Sequence, residues 1–143
     1  MAERKNDPYR AYNFLVEIDG ITRAGFRECS GLDSASDPIE YREGNESRTA
    51  RKLSGLMKFS NITLKWGLSD DVDLWEWHKK MADADIERKN GSIVLMDETG
   101  AETARWNFVE GWPTKWTGTS FNATGNEVAI DTLEIAHEGL VRA

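Results

Sequence analysis

Residues able to do chemistry are few in this chain, and their spacing works against it. His78 and His137 are its only histidines and Cys29 is its only cysteine. Zinc ligands gather at short, repeated spacings, and these three side chains stand far apart in sequence. Asp70, Asp71 and Asp73 lie close together, but a calcium loop also needs further oxygen ligands at fixed offsets and a turn glycine. No Gly-x-Ser-x-Gly elbow, phosphate loop or dinucleotide fingerprint occurs, and the glycine-flanked stretch Gly118 to Gly125 lacks a Lys-Ser/Thr ending. The sequons at Asn45, Asn61 and Asn122 carry meaning only in a eukaryotic secretory protein. The expectation is a protein that is not an enzyme and holds no cofactor or metal.

The tryptophans are the remaining chemical feature. Six among 143 residues are many for a chain whose mean hydropathy is −0.59. Trp66 and Trp106 alternate with Ile62, Leu64 and Phe108 in strand-like runs, and Trp77 falls on a helical stripe, so these read as core. Trp75, Trp112 and Trp116 read as free to be exposed, with Pro113 as a rigid turn between the last two. Exposed rings on a small sheet domain would stack on sugars, which makes a carbohydrate-binding module the rival reading. Aromatic residues dominate cores and interfaces, so core or subunit contact is favoured.

Bulk properties set the frame for these residues. The length is that of one ordinary domain, which buries roughly 70% of its unfolded surface and needs no bridge or metal to hold a core. A single cysteine allows no internal disulfide and fits synthesis in a reducing cytosol. No signal peptide and no apolar run long enough to span a membrane is read, so release would follow lysis or departure of a finished particle. Lys and Arg number 18 against 25 Asp and Glu, a net charge of −7. That balance argues against nucleic-acid binding driven by counterion release, though not against nucleic acid passing through an acidic channel.

The elements that must position these residues are mostly strands. Residues 1–8 read as a flexible arm, and 9–143 as a single domain. Tyr12, Phe14, Val16 and Ile18 alternate with Asn13, Leu15 and Glu17, and Asp19-Gly20 marks a hairpin turn. Ile21–Gly25 returns, a short run follows from Phe26 to Leu32, and Asp37-Pro38 reads as a further turn before a strand opening at Ile39 and Tyr41. Arg42 to Lys58 is an extended, two-sided polar excursion. Ile62, Leu64 and Trp66 alternate cleanly with Thr63 and Lys65. One helix is predicted, Asp70 to about Ala84, with Ser69 as N-cap and Leu74, Trp77, Met81 and Ala84 as the buried stripe. Asn90-Gly91 ends that connection, and Ser92–Met96 with Arg105–Glu110 forms a hairpin about Glu98-Thr99-Gly100. Trp112 to Gly118 and Asn122 to Glu127 read as turn-rich and polar. The final strand, Val128 to Leu140, changes phase, which implies a bulge near Asp131-Thr132 or a strand that leaves its own core for a neighbour. The fold class is mainly β with one α-helix, as two packed antiparallel sheets or a barrel-like unit.

Ordered blocks along the chain carry a resemblance. They are Asp7-Pro8-Tyr9 with Asn13 to Gly20, Ala24-Gly25-Phe26 with Cys29-Ser30-Gly31-Leu32, and Tyr41 to Asn45. Arg51 to Leu56, Asn61 to Lys65, Leu74 to Trp77 and the closing Trp112–Leu140 region continue the series. Together they resemble the tail tube proteins of contractile-tailed bacteriophages and of phage-derived extracellular contractile injection systems. Cys29 and Ser54 depart from it, standing where a small residue and often proline are expected.

The resemblance implies a structural subunit that forms hexameric rings, stacked helically into an inner tube inside a contractile sheath, with one barrel continuous across subunits. Implied partners are further copies of the chain, the sheath protein, baseplate or hub, and a terminator or cap. Cargo protein or DNA would pass without specific binding, and the monomer would not bind membrane. A baseplate-proximal initiator ring of the same family is the nearest alternative. Under this reading, Arg42, Glu43, Arg48, Arg51, Lys52, Leu53, Leu56 and Lys58 are the candidate assembly interface. Asp131 and Glu134 are candidates to face the lumen, where acidic groups would let anionic cargo slide.

Overall fold

The computed structural model describes residues 13–23, 25–41, 44, 51–69, 72–125 and 128–143. Alternation fixes the first element: β1 (Phe14–Ile18) buries Val16 and Ile18. At the turn Gly20 takes φ of +80°, a backbone conformation glycine reaches without a Cβ penalty, and β2 (Ile21–Arg23) pairs back on β1. The predicted arm, residues 1–8, and Tyr12 lie outside the described residues. β3 (Phe26–Ser30) pairs with β6 (Ile62–Gly67), in which Ile62, Leu64 and Trp66 point to the core as expected. Between them β4 (Ser34–Tyr41) and β5 (Arg51–Phe59) form a separate two-stranded ribbon.

The second half of the chain is organised by one strand. β7 (Lys89–Met96) and β8 (Glu102–Thr117) form the predicted hairpin, its turn held by Asp97 Oδ1, which accepts from Thr99 N, Thr99 Oγ1 and Ala101 N. At about 3.3 Å per residue β8 runs for roughly 50 Å, long enough to serve two sheets. Its first part pairs with β7 on one side and β10 (Gly139–Arg142) on the other; its last part pairs with β9 (Ile130–Ala136). One sheet is therefore β2-β1-β7-β8-β10 and the other β8-β9-β6-β3, antiparallel throughout. Val16, Ile18, Ile93 and Phe108 from the first meet Ile62, Leu64, Leu133 and Ile135 from the second in one core. β2 and β3 end the strand order without pairing to each other, so the barrel is not closed within one chain.

The helix, α1, spans Asp73–Ala82 and buries Leu74 and Trp77, whose Nε1 donates to Glu87 O at 2.7 Å. Val72, not Ser69, holds the N-cap position and gives no side-chain bond; Asp70 and Asp71 lie outside the described residues. The helix stops short of Ala84 because Ala84 takes φ of +60°. Ala84 N then reaches Met81 O and Asp85 N reaches Lys80 O, the paired bonds that close a helix through a left-handed residue. Ala84 is accordingly exposed, not part of the buried stripe, and Met81 is half-buried.

Four expectations about turns are corrected. Asp37-Pro38 lies inside β4, where the register with β5 shifts, and Ile39 and Tyr41 close that strand rather than open one. Asn90-Gly91 lies inside β7. Trp112-Pro113 lies inside β8, with Pro113 buried and the register shifting between Pro113 and Lys115. Proline is tolerated there because it stands on an edge segment at a register shift, where the ladder is already interrupted. The fourth concerns Asp131-Thr132, which is no bulge: β9 runs in unbroken register with β6 from Ile130 to Ile135. The interruption falls instead at His137-Glu138, between β9 and β10.

Candidate assembly surface

The β8-β9-β6-β3 sheet is flanked by two strand edges, of five and six residues. β3 on one side and residues Trp112–Thr117 on the other carry no further strand among the described residues. In the other sheet the outer strands, β2 and β10, have only 3 and 4 residues, the short edges that proteins use to resist further pairing. Successive neighbours in β8-β9-β6-β3 alternate in direction, so β3 of one copy beside residues 112–117 of another extends the sheet antiparallel.

The outward face of that sheet is polar. Thr63 opposes Glu134, which opposes Lys115, and Lys65 opposes Thr132, which opposes Thr117. Glu134 Oε1 accepts from Asn61 Nδ2 at 2.9 Å, and Glu28 lies 3.5 Å from Lys65 Nζ. Asp131 does not share this face. It is 8% exposed, in phase with Leu133 and Ile135, and its Oδ1 accepts from Thr119 Oγ1 at 2.8 Å and Thr119 N at 3.1 Å. The phase change read from the sequence is a polar residue in a core position, bonded to the preceding loop.

The ribbon β4–β5 continues the β3–β6 pair past a kink. Gly31 makes the kink possible: it takes φ of +91°, and a Cβ there would stand 1.9 Å from Asn61 O. Ser60 N donates to Asp33 O at 3.1 Å across it. The ring of His137 clamps the same point to the β9–β10 junction, with Nε2 3.0 Å from Ser60 O and Nδ1 3.1 Å from Gly139 O. Beyond the kink nearly every side chain is exposed. Ile39 faces Leu53 across the ribbon, Tyr41 faces Arg51, and Leu56, at the register shift, is 84% exposed. Of the predicted interface, Arg51, Lys52, Leu53, Leu56 and Lys58 lie on β5, and Lys58 pairs with Asp37 at 2.5 Å. Arg42, Glu43 and Arg48 lie outside the described residues. Ile39, Tyr41 and Met57, exposed on the same ribbon, are absent from the predicted set; Ile39 and Tyr41 were read as opening a strand after a turn at Asp37-Pro38.

At the other end of β6 an aromatic cluster lines a groove of about 210 Å³. Trp116 packs edge-on against Trp66 and Trp75, at 5.3 and 5.1 Å between centroids, and His78 lies 5.8 Å away. Leu68, Val72 and Trp75 form the groove's exposed rim. Trp75 and Trp116 are thus partners, not isolated sugar platforms, and Trp112 is half-buried. His78 Nδ1 is buried with no hydrogen-bond partner among the described residues. Those residues hold no cluster of three or more His, Cys, Asp or Glu placed to bind a metal ion, and no helix long and apolar enough to cross a membrane.

The model of the T4-like virus tail tube protein gp19 family matches residues 10–141. The chain belongs to that family. No curated protein sequence matches it. Among solved structures, this tail tube family member is similar to a chain of the PVC extracellular contractile injection system's sheath–tube complex in the extended state. That match has 28% identity and a TM-score of 0.88, covering 97% of this chain and 93% of that one. It is likewise similar to a chain in the structure of the anti-feeding prophage tube-terminating cap, at 29% identity and a TM-score of 0.87, covering 100% and 95%. Hcp1 from Flavobacterium johnsoniae shares the fold at 16% identity and a TM-score of 0.58, covering 92% and 94%.

Proposed function

We propose that this protein is the non-enzymatic inner tube subunit of a contractile particle. It forms hexameric rings by pairing β3 of one copy with residues 112–117 of the next. The observation that carries the reading is a four-stranded sheet whose two edges carry no further strand among the described residues and are of compatible direction, in a chain of the tail tube family. Closing a ring satisfies both edges and removes the hazard they present. The outward face of the sheet, with Thr63, Lys65, Lys115, Thr132 and Glu134, then lines the lumen. Glu134 is the acid we assign to the lumen; Asp131, buried against Thr119, is assigned to the core side. The paired acids and bases of that face give a wetted, low-adhesion wall for protein cargo or DNA.

Stacked rings build a rod on which sheath protein, baseplate and cap assemble. The ribbon, together with Arg42, Glu43 and Arg48 of the same polar stretch of sequence, sets register between copies, since charge complementarity fixes fit more than it supplies affinity. Amide hydrogen exchange tests the edge assignment. In polymerised protein the backbone amides of β3 and residues 112–117 gain protection that dilute protein lacks. Unchanged exchange at both edges in polymerised material contradicts the pairing. Arg48→Glu with Arg51→Glu tests the ribbon: a folded monomer without rods is expected, and rods of normal length rule the role out.

A further inference from the structure

We infer that Glu28 and Glu134 keep the lumen from retaining anionic polymers, because each stands across from a lysine, Lys65 or Lys115, that would hold them if left uncompensated. The inference rests on the tube-subunit reading above, which turns this face of the sheet toward the lumen. The first ground is pairing. Glu28 is the register partner of Lys65, and Glu134 that of Lys115. All four stand on the face opposite the core residues Leu64, Trp66, Leu133 and Ile135. Glu28 Oε2 lies 3.5 Å from Lys65 Nζ. Cβ atoms of directly opposed residues are roughly 4.5–5.5 Å apart, inside the Debye length of about 8 Å at physiological salt. An anion beyond that distance from the wall meets each pair as a dipole, not as a cation.

The second ground is charge balance. The chain carries a net charge of −7, yet the charged residues at the paired positions of this face are these two acids and two bases. Between them Ser30, Thr63, Thr117 and Thr132 present hydroxyl groups that hold water. A wall of this make-up neither draws in a polyanion nor, as an acidic wall does, repels it. The third ground is that the fold does not need the pairing. The Lys65 and Glu28 side chains are 42% and 55% exposed, and an ion pair so open to water adds little to stability. Its effect falls on what lies over the wall. Without the glutamates the lysines would repeat uncompensated in every copy around and along the tube. Such an array of fixed cations takes up polyanions by releasing their condensed counterions.

The test is retention of a fluorescent single-stranded oligonucleotide by pelleted rods. Glu28→Gln is combined with Glu134→Gln, since glutamine keeps the oxygen that accepts from Asn61 Nδ2. A quadruple variant adds Lys65→Gln and Lys115→Gln. The same oligonucleotide, fixed by both ends to a bead wider than the rod, reports the outer surface. Parent rods are expected to retain little of either probe. Double-variant rods retain at least about tenfold more of the free oligonucleotide at roughly 50 mM salt, and lose it by roughly 200 mM. They take up no more of the bead-bound probe than the parent, and the quadruple variant returns to the parent level. A double variant that retains no more than the parent, or a quadruple variant that retains as much as the double, overturns the role of the glutamates and leaves the tube reading intact. Extra retention of the bead-bound probe puts this face on the outside and overturns the lumen assignment instead. Parent protein that forms no rods at any concentration overturns the tube reading itself. Should the double variant not polymerise alone, it is mixed with parent copies, and the same order of retention is expected.

Discussion

Replacing Gly91 by alanine probes how tightly the two sheets close on the core. A Cβ at Gly91 would lie 2.4 Å from Cζ and 2.7 Å from Cε1 of Phe108, and 2.7 Å from Glu17 O. On Gly111 it would lie 2.7 Å from Cε2 of the same ring, so the two glycines make the slot that holds it. Phe108 is only 1% exposed. Overpacking of a dense core costs about 1–3 kcal/mol. The contact with a backbone carbonyl, which cannot swing away, places Gly91→Ala toward the top of that range, about 2–3 kcal/mol. For a domain of this size each kcal/mol lowers Tm by roughly 3–5 °C, so the variant melts about 6–15 °C below the parent. Thermal and urea unfolding of dilute, unpolymerised protein, followed by tryptophan fluorescence, measures it. Phe108→Leu alone also destabilises, by opening a cavity. In the double variant the new methyl group occupies that cavity, and the total loss falls short of the sum by about 1 kcal/mol or more. A Gly91→Ala variant within about 0.5 kcal/mol of the parent, or strict additivity in the double variant, refutes the slot.

Ala84→Gly relieves a left-handed alanine at the end of α1 and stabilises the protein by about 1 kcal/mol, read as a higher urea midpoint with unchanged slope. Hydrogen bonds from the Thr99 side chain, then from the Ala101 N–H, hold the Asp97 carboxyl below its ordinary value of 3.8. The stability this adds is present above that value and lost as pH falls below it, so Asp97→Asn flattens the acid limb of a stability–pH curve; an unchanged limb shows that the turn bonds do not matter. Burial, aided by the Glu28 charge, pushes the Cys29 thiol up to about 12, so native protein reacts with a thiol reagent at pH 8 far more slowly than urea-unfolded protein. Equal rates contradict the burial.

Much of the sheet was legible because its residues alternate without interruption. Ile62, Leu64 and Trp66 are the clearest case, and Asp19-Gly20 marks its hairpin by composition alone. Legibility failed where a residue's role depends on what stands across from it. Pro113 and Pro38 read as turns, since proline removes a ladder donor, yet each sits in a strand at a register shift. Gly91 read as the end of the connection that follows the helix, although it leaves room for a ring on the neighbouring strand. Asp131 read as a phase slip, because its partner Thr119 lies in a different loop and nothing local announces the bond. The polar excursion was read over Arg42 to Lys58, of which Arg51 to Lys58 lie on β5; the apolar pair Ile39 with Leu53 emerges only once the two strands are in register. The groove could not be read at all. It is assembled from β6, α1 and the far end of β8, and no spacing in the chain joins Leu68, Trp75 and Trp116.

The central claim is that a sheet left open in one chain is closed by identical chains. Electron cryo-microscopy of the purified, concentrated protein at strand resolution tests it most directly. The account predicts hollow rods whose rings contain six copies, with unbroken antiparallel pairing from β3 of each copy to residues 112–117 of its neighbour. A preparation of dispersed single chains, or rods whose subunits touch without sharing a strand ladder, contradicts it.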